Sequence, residues 1–305
     1  MSFAFVFSGQ GSQYVGMGIG VVDSHTLWKP HWEEVDDALG FGLSRLILEG
    51  PEEKLTLTEY AQPAILAYSI LLLRVLREER PDLCATIAAG HSLGEYSALV
   101  AAESLSFPDA LRLVRTRGQA MQAAVAPGVG GMLAVMGLSE SVLQRLCTEV
   151  GEGQLEVAAL NSPVQSVVAG PVALLEAFSE KALSAGARRC QALKVSAPFH
   201  TQMLKPAGER LREALSEVSI QSPRFPVVQN VDGEAVADPA MIREKLVEQV
   251  SRTVRWVDCV ATIQSVGCER FIEFGPGRAL NGLIKKCDRS LKTSFTDRSA
   301  FLEQF

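Results

Sequence analysis

The chain opens on five consecutive apolar residues, Phe3-Ala4-Phe5-Val6-Phe7, and then turns abruptly polar and glycine-rich through Ser8-Gly9-Gln10-Gly11-Ser12-Gln13. A short apolar run closed by turn residues is the pattern of a strand buried on both faces. Similar runs recur at 84–89, 227–231 and 271–274, the last just ahead of Gly275-Pro276-Gly277. Between them, apolar residues return every three or four positions at 31–49, 61–79, 92–103, 108–125, 201–218, 241–250 and 257–266, which predicts helices. Pro63 falls in the first turn of the second of these, where its missing N–H is tolerated. Short buried strands separated by helices predict an α/β fold on a largely parallel sheet.

The rhythm changes at the glycine-rich break 128–131. From there 132–136 reads as a strand, 139–150 as a helix, 154–160 and 165–169 as strands, 172–185 as a helix and 188–195 as a strand. This βαββαβ order is that of a ferredoxin-like unit. The expected organisation is a large α/β domain made of 1–127 and 197–305, interrupted by a small ferredoxin-like α+β subdomain at 128–196. The tail beyond Arg289 has no periodic signal.

Composition narrows the function classes. The 305 residues are 47% hydrophobic, ample for a sizeable core, yet no apolar run approaches the ~20 residues needed to span a bilayer. The first apolar run lacks a basic flank and stops after five residues, so a strand is expected there and not a signal peptide. With 29 Lys and Arg against 35 Asp and Glu, the net charge is −6 and no long basic stretch exists, which argues against nucleic acid. The six cysteines are scattered without a C-x-x-C pair and there are four histidines, so reduced thiols, no zinc site and a cytoplasmic location are expected.

Against this background Gly90-His91-Ser92-Leu93-Gly94 stands out, because it lies between an apolar run ending at Ala89 and an Ala/Leu/Val helix. Strand, cramped turn and helix N-terminus are what a nucleophile elbow of the α/β-hydrolase type requires. The same five residues also occur in ordinary strand-to-helix turns, so the motif alone leaves both readings open. The earlier glycine-rich loop lacks the Gly-Lys-Ser/Thr of a phosphate loop, and Tyr14 stands where a dinucleotide fingerprint needs its third glycine. A turn able to lend a main-chain N–H remains.

Arg117 projects from the apolar side of its helix, among Leu113, Val114, Ala120 and Met121, whereas Arg112 and Arg115 have polar neighbours and are expected in solvent. A guanidinium in apolar surroundings needs an anion, either a carboxylate of the protein, the commoner case, or one carried by a substrate. His200 lies where the chain leaves the insert through Ser196-Ala197-Pro198-Phe199, at the border of an interdomain cleft. It is either the base for Ser92 or a histidine satisfied by local main-chain groups. His25 and His31 fall in a segment that reads as surface, and His91 is expected to point away from Ser92.

With these pieces in place, the chain resembles the malonyl-CoA:acyl-carrier-protein transacylases of fatty-acid synthesis and polyketide assembly. The resemblance runs nearly end to end, through Gly9-Gln10-Gly11-Ser12-Gln13, Gly90-His91-Ser92-Leu93-Gly94-Glu95, Arg117-Gly118-x-x-Met121-Gln122, Asn161-Ser162-Pro163, Phe199-His200 and Glu273-x-Gly275-Pro276-Gly277. The opening from Phe7 to Gln13 is most similar to free-standing, trans-acting polyketide-synthase acyltransferases. The resemblance implies Ser92 as nucleophile, His200 as base oriented by the main-chain carbonyl of Gln249, and the N–H groups of Gln10 and Leu93 as oxyanion hole. It implies Arg117 as the binder of the malonyl carboxylate, with Phe199, Met121, Asn161 and His91 around the substrate. The implied substrate is malonyl-CoA, the implied partner an acyl carrier protein bearing phosphopantetheine, with no permanent cofactor, no metal and no membrane, and a monomer is expected. Phe199 before the histidine favours malonyl over methylmalonyl. Two rivals are an acyl hydrolase that clears carrier proteins and an idle docking protein. Arg188, Arg189, Lys285 and Lys286 could form a basic patch for an acidic carrier, or be ordinary solvated surface.

Overall fold

The computed structural model describes residues 2–126, 128–193, 195 and 197–304. Pro127 and Ser196, on which the expected domain boundaries fall, lie outside the described residues, as do Met1, Phe305 and Lys194 of the expected strand 188–195. The strands among the described residues are β1 (Phe3–Phe7), β2 (Ala85–Gly90), β3 (Gly130–Met136), β4 (Glu156–Ser162), β5 (Gln165–Pro171), β6 (Arg189–Ala192), β7 (Val227–Val228), β8 (Ala235–Val236), β9 (Arg270–Phe274) and β10 (Lys292–Phe295). Six form one sheet in the order β10-β9-β1-β2-β7-β8, parallel except for the β7–β8 pair. All five residues of β1 are buried, as its unbroken apolar run requires, and β1 sits at the centre of this sheet. The loops that leave β1 and its neighbour β2 therefore emerge side by side at the same edge, where α/β sheets bind their ligands.

The second sheet has the order β4-β5-β3-β6 and is antiparallel throughout, with the helices Glu140–Gly151 and Val172–Ser184 joining its strands in βαββαβ succession. Its side chains divide by the period of two. Leu133, Val135 and Val168 face its own helices in a separate core with Leu143, Leu146 and Phe178, while Met132, Ala159 and Val167 belong to the core of the large sheet. The fold is thus a large α/β unit of α/β-hydrolase type with a small ferredoxin-like one leaning on it. A main-chain bridge joins them, because Leu160 N–H donates to Val254 O and Val254 N–H to Ala158 O, each at 2.9 Å.

Several elements differ from expectation, each for a local reason. The segment 31–49 is two helices, Trp28–Leu39 and Leu43–Glu49, because Gly40 takes φ 71° and ends the first in a left-handed cap. The helix expected from 61 begins at Thr58, so Pro63 lies inside it and not in its first turn, and packing on every side holds it. The expected helix 92–103 is Gly94–Ala101, and 201–218 is a short 3₁₀ turn followed by Lys205–Ser216. The strand 227–231 is only Val227–Val228, and the tail supplies β10 and a 3₁₀ turn, Phe301–Gln304.

His31 is buried, not on the surface: its Nε2–H donates to Ala67 O at 2.9 Å and its Nδ1 accepts from Arg74 at 3.0 Å. Helical spacing places it with Trp32 and Val35 on the inward face. Arg115 is likewise not a free surface charge, since its guanidinium lies 4.0 Å from the centre of the Phe41 ring.

Candidate active site

The elbow is compressed because its glycines are. A Cβ on Gly90 would collide with the carbonyl carbon of Gly94, and one on Gly94 with the carbonyl oxygen of Phe7, so no other residue fits at either position. Ser92 between them has φ 52°, in the left-handed region that a serine rarely occupies. His200 has φ 62° and is equally unusual. The two strained residues face each other, with Ser92 Oγ 2.8 Å from His200 Nε2. Strain at two residues in contact marks a place where geometry is imposed by its surroundings.

The proton bookkeeping of the pair follows from its outer partner. His200 Nδ1 lies 2.8 Å from the carbonyl oxygen of Gln249, which can only accept, so Nδ1 carries the hydrogen and Nε2 is left to accept from the Ser92 hydroxyl. Burial, then the positive charge of Arg117, pulls the His200 pKa down to about 3. The imidazole is therefore neutral near pH 7, as a base must be.

Arg117 is 1% exposed and lies on the helix Phe107–Ala124. Gly118 beside it lets this helix approach the helix Thr58–Glu79 closely, for a Cβ there would meet Thr58 O at 2.6 Å. One guanidinium nitrogen donates to Gln62 Oε1 at 2.8 Å, and the other to Ser92 Oγ and Gln249 Oε1, both at 2.9 Å. Its partners are all neutral oxygens, and Nε has none among the described residues. Burial pushes the Arg117 pKa down, as expected of a cation lacking a direct counter-ion. Glu95 is buried close enough to affect it through space, yet burial raises that carboxyl itself to about 7. Of the two answers left open by the sequence, a structural carboxylate is not the one found. The cation is held beside Ser92 without a bonded anion.

The other expected residues surround a cavity of about 490 Å³ between the two sheets. Gln10, His91, Ser92, Arg117 and Met121 line it from the large unit, with Phe199 and His200 at the re-entry point. Met132, Ala159, Asn161 and Val167 line it from the small sheet. His91 points away from Ser92, bonded through Nε2 to Asn161 Oδ1 at 2.7 Å, and so ties the elbow to β4. Gln10 anchors its loop by donating from Nε2 to Thr58 Oγ1 at 3.1 Å. Leu93 and Gln249 stand behind the cavity wall, both buried. Among the described residues, neither the Gln10 nor the Leu93 main-chain N–H has a protein acceptor. Lys286 donates to Gln165 Oε1 at 2.7 Å and Lys285 to Arg289 O at 3.2 Å, both at the surface. Among the described residues no group of His, Cys, Asp and Glu side chains is arranged to hold a metal.

Asn230 and Gln62 complete the site and carry no local signal in the sequence. Asn230 sits just past a two-residue strand, and Gln62 on a helix buried all round. Glu95 had a signal, as the acid closing the elbow motif.

A parallel sheet whose second strand leads into a strained serine, facing a histidine and a buried arginine beside the small antiparallel sheet, is the setting of an acyltransferase. The chain belongs to the acyl transferase domain family, which matches residues 4–294. It is 44% identical over 294 residues to the malonyl CoA-acyl carrier protein transacylase of Bacillus subtilis (strain 168), covering 95% of this chain and 92% of that protein. It is 41% identical over 301 residues to the protein of the same name from Salmonella typhimurium, covering 98% and 97%. Among solved structures, the acyl-carrier-protein S-malonyltransferase of Burkholderia pseudomallei superposes with a TM-score of 0.96 at 43% identity, covering 100% and 99% of the two chains. A malonyl-transacylase in complex with its type II PKS acyl-carrier protein gives a TM-score of 0.96 at 39% identity, covering 100% and 98%.

Proposed function

We propose that this protein transfers a malonyl group from coenzyme A, through an ester on Ser92, to the phosphopantetheine thiol of an acyl carrier protein, in fatty-acid or polyketide biosynthesis. The observation that carries the reading is Arg117: a fully buried guanidinium, bonded only to neutral oxygens, 2.9 Å from the Ser92 hydroxyl. A malonyl ester on Ser92 places a carboxylate two bonds beyond its carbonyl carbon, within reach of that cation.

The chemistry is a ping-pong cycle. His200 Nε2 takes the proton as Ser92 Oγ bonds to the thioester carbon, and the N–H groups of Gln10 and Leu93 meet the oxyanion, each worth about 3 kcal/mol. The C–S bond breaks, the proton passes from His200 to the coenzyme A sulfur, and malonyl-Ser92 remains. The phosphopantetheine thiol then enters and reverses the steps. Acetyl lacks the carboxylate and would leave Arg117 unpaired, at a cost of about 2–5 kcal/mol, which supports selectivity for a diacid monoester. The Phe199 ring in the cavity wall crowds an α-methyl group and favours malonyl over methylmalonyl.

Water as acceptor is the rival outcome, and Arg117 counts against it because a chain-clearing hydrolase has no use for a carboxylate anchor. The enzyme acts without a permanent cofactor, as a cytoplasmic monomer; Arg188, Arg189, Lys285 and Lys286 have position alone in favour of guiding an acidic carrier, and solvated surface is the commoner role of such charges. No helix among the described residues is long and apolar enough to cross a membrane. The domain division belongs to the same reading: a catalytic unit of 1–127 and 197–305 with the subdomain 128–196 as the far wall of the cleft. A panel of acyl-CoA donors with carrier protein, scored by mass, tests it: malonyl transfer well above acetyl is expected, and equal transfer of both contradicts the role of Arg117.

A further inference from the structure

The Asn230 side chain makes two hydrogen bonds across the elbow. Its Oδ1 accepts from Ser92 N–H at 2.6 Å, and its Nδ2 donates to Gly90 O at 2.8 Å. These main-chain groups lie on either side of His91, immediately before the strained serine. Strands β2 and β7 pair at Ala88 with Val227 and Ala89 with Val228, and there the ladder ends. A continuing parallel ladder would present one acceptor and one donor to the next residues of β2. The Asn230 amide supplies one of each, so it extends strand-like pairing into a turn that main chain could not follow.

Asn230 is itself fixed. It is fully buried, and its main-chain N–H donates to Glu95 Oε2 at 2.7 Å, from the helix that starts just after the elbow. On the other side of the serine, Gln249 Nε2 donates to Ser92 O at 3.0 Å. Both main-chain polar groups of Ser92 are thus held by side chains from distant segments. A non-glycine residue in this conformation is strained and persists only where its surroundings impose it.

We propose that Asn230 is a positioning residue of the transfer reaction: its amide holds the Gly90–Ser92 turn in the strained conformation that aims Ser92 Oγ at His200 Nε2. The proposal rests on Ser92 being the nucleophile. Its effect is on the rate of the chemical steps and not on capture of malonyl-CoA, because Ser92 is the one cavity-lining residue that the Asn230 amide bonds among the described residues, and it makes no bond to Arg117.

The test compares Asn230→Ala, Asn230→Asp and a Ser92→Ala control with the unmodified protein, by thermal unfolding, by steady-state malonyl transfer to carrier protein, and by rapid-quench mass measurement of the malonyl adduct. For Asn230→Ala, kcat per folded molecule falls by about 10²-fold, as a misaimed reacting atom requires, while KM for malonyl-CoA stays within about threefold. Asn230→Asp keeps the volume and the acceptor for Ser92 N–H, but donates to Gly90 O only when its carboxyl is protonated. The groups facing that carboxyl are Glu95 from the following helix and Cys259 from the helix Trp256–Ser265, with Asp232 and Arg117 acting through Glu95. Its deficit relative to the unmodified protein therefore grows as pH rises between about 6 and 9. A kcat equal to the unmodified protein in folded Asn230→Ala, or a pH-independent deficit in Asn230→Asp, overturns the proposal. Malonyl uptake by Ser92→Ala would instead remove the nucleophile assignment and the proposal with it.

Discussion

Two cavities lie at opposite ends of the parallel sheet, and the larger is not the one that holds Ser92. At the strand N-termini a hollow of about 610 Å³ is lined by Phe3, Arg80, Asp82, Arg270 and Lys292 among others. Its charges are paired or solvated: Arg80 bonds Asp82 at 2.7 Å, the Arg270 guanidinium lies over the Phe3 ring, and Lys292 is exposed to water. None of its lining residues has a strained backbone. At the strand C-termini the hollow is smaller, about 490 Å³, yet it holds Ser92 and His200 at positive φ and the buried cation Arg117. The difference teaches that concavity is cheap. What singles out a site is free energy left unspent, in strained backbone and in a charge without a counter-ion.

That contrast can be broken first at Arg117. Arg117→Ala should lower kcat/KM for malonyl-CoA by about 10²–10³-fold, the equivalent of losing a charge-assisted bidentate pair, while transfer of acetyl rises. A donor panel reads both, and an unchanged malonyl preference would mean that the cation serves structure alone.

Glu95 is the next point of strain. Burial holds its carboxyl at about 7 against an ordinary 4.5, so the folded state favours the protonated form. The sign follows: stability is lost as pH rises from 4.5 through 7, and the ionised form carries a penalty of up to about 3 kcal/mol above that. Glu95→Gln, which keeps an acceptor for the Asn230 N–H, should unfold at higher temperature than the unmodified protein near pH 8 and lose that advantage below about pH 5. Thermal melts across this range read the crossing.

A smaller effect is expected of acidification on the free enzyme. An ordinary histidine would protonate near 6.5 and lose its function below it, but His200 at about 3 stays neutral. The kcat/KM for malonyl-CoA should therefore hold level from about pH 8 to about pH 5, and an inflection near 6.5 would show a base with no such depression. The smallest effect belongs to the opposite cavity. Arg270→Gln and Lys292→Gln should leave malonyl transfer within about twofold, as surface substitutions away from the chemistry do.

How much of this was legible in the sequence depends on whether the chemistry is local. Gly90, Ser92 and Gly94 are contiguous and steric, so the elbow could be named from the residues, though only the φ of Ser92 separates it from an ordinary turn. Arg117 could be placed on an apolar face by helical spacing, but its lack of a bonded carboxylate is a tertiary fact. The residues offer His200 as the base for Ser92, 108 residues away, only as one of two readings at the cleft border, and the family resemblance chooses between them. The roles of Asn230 and Gln62 are made entirely by contacts between distant segments. The neighbourhood of His31 shows the opposite failure, where Asp, Trp and Lys suggest surface although the 3.6-residue period turns the histidine inward with Val35.

The central claim is that the elbow serine carries a malonyl group because Arg117 and His200 are built around it. Intact-mass measurement after mixing the protein with malonyl-CoA, with and without carrier protein, tests this most directly. The account predicts a single malonyl adduct that maps to Ser92, persists in buffer and is discharged by the carrier protein. Absence of the adduct, or its rapid loss to water with no carrier present, would contradict it.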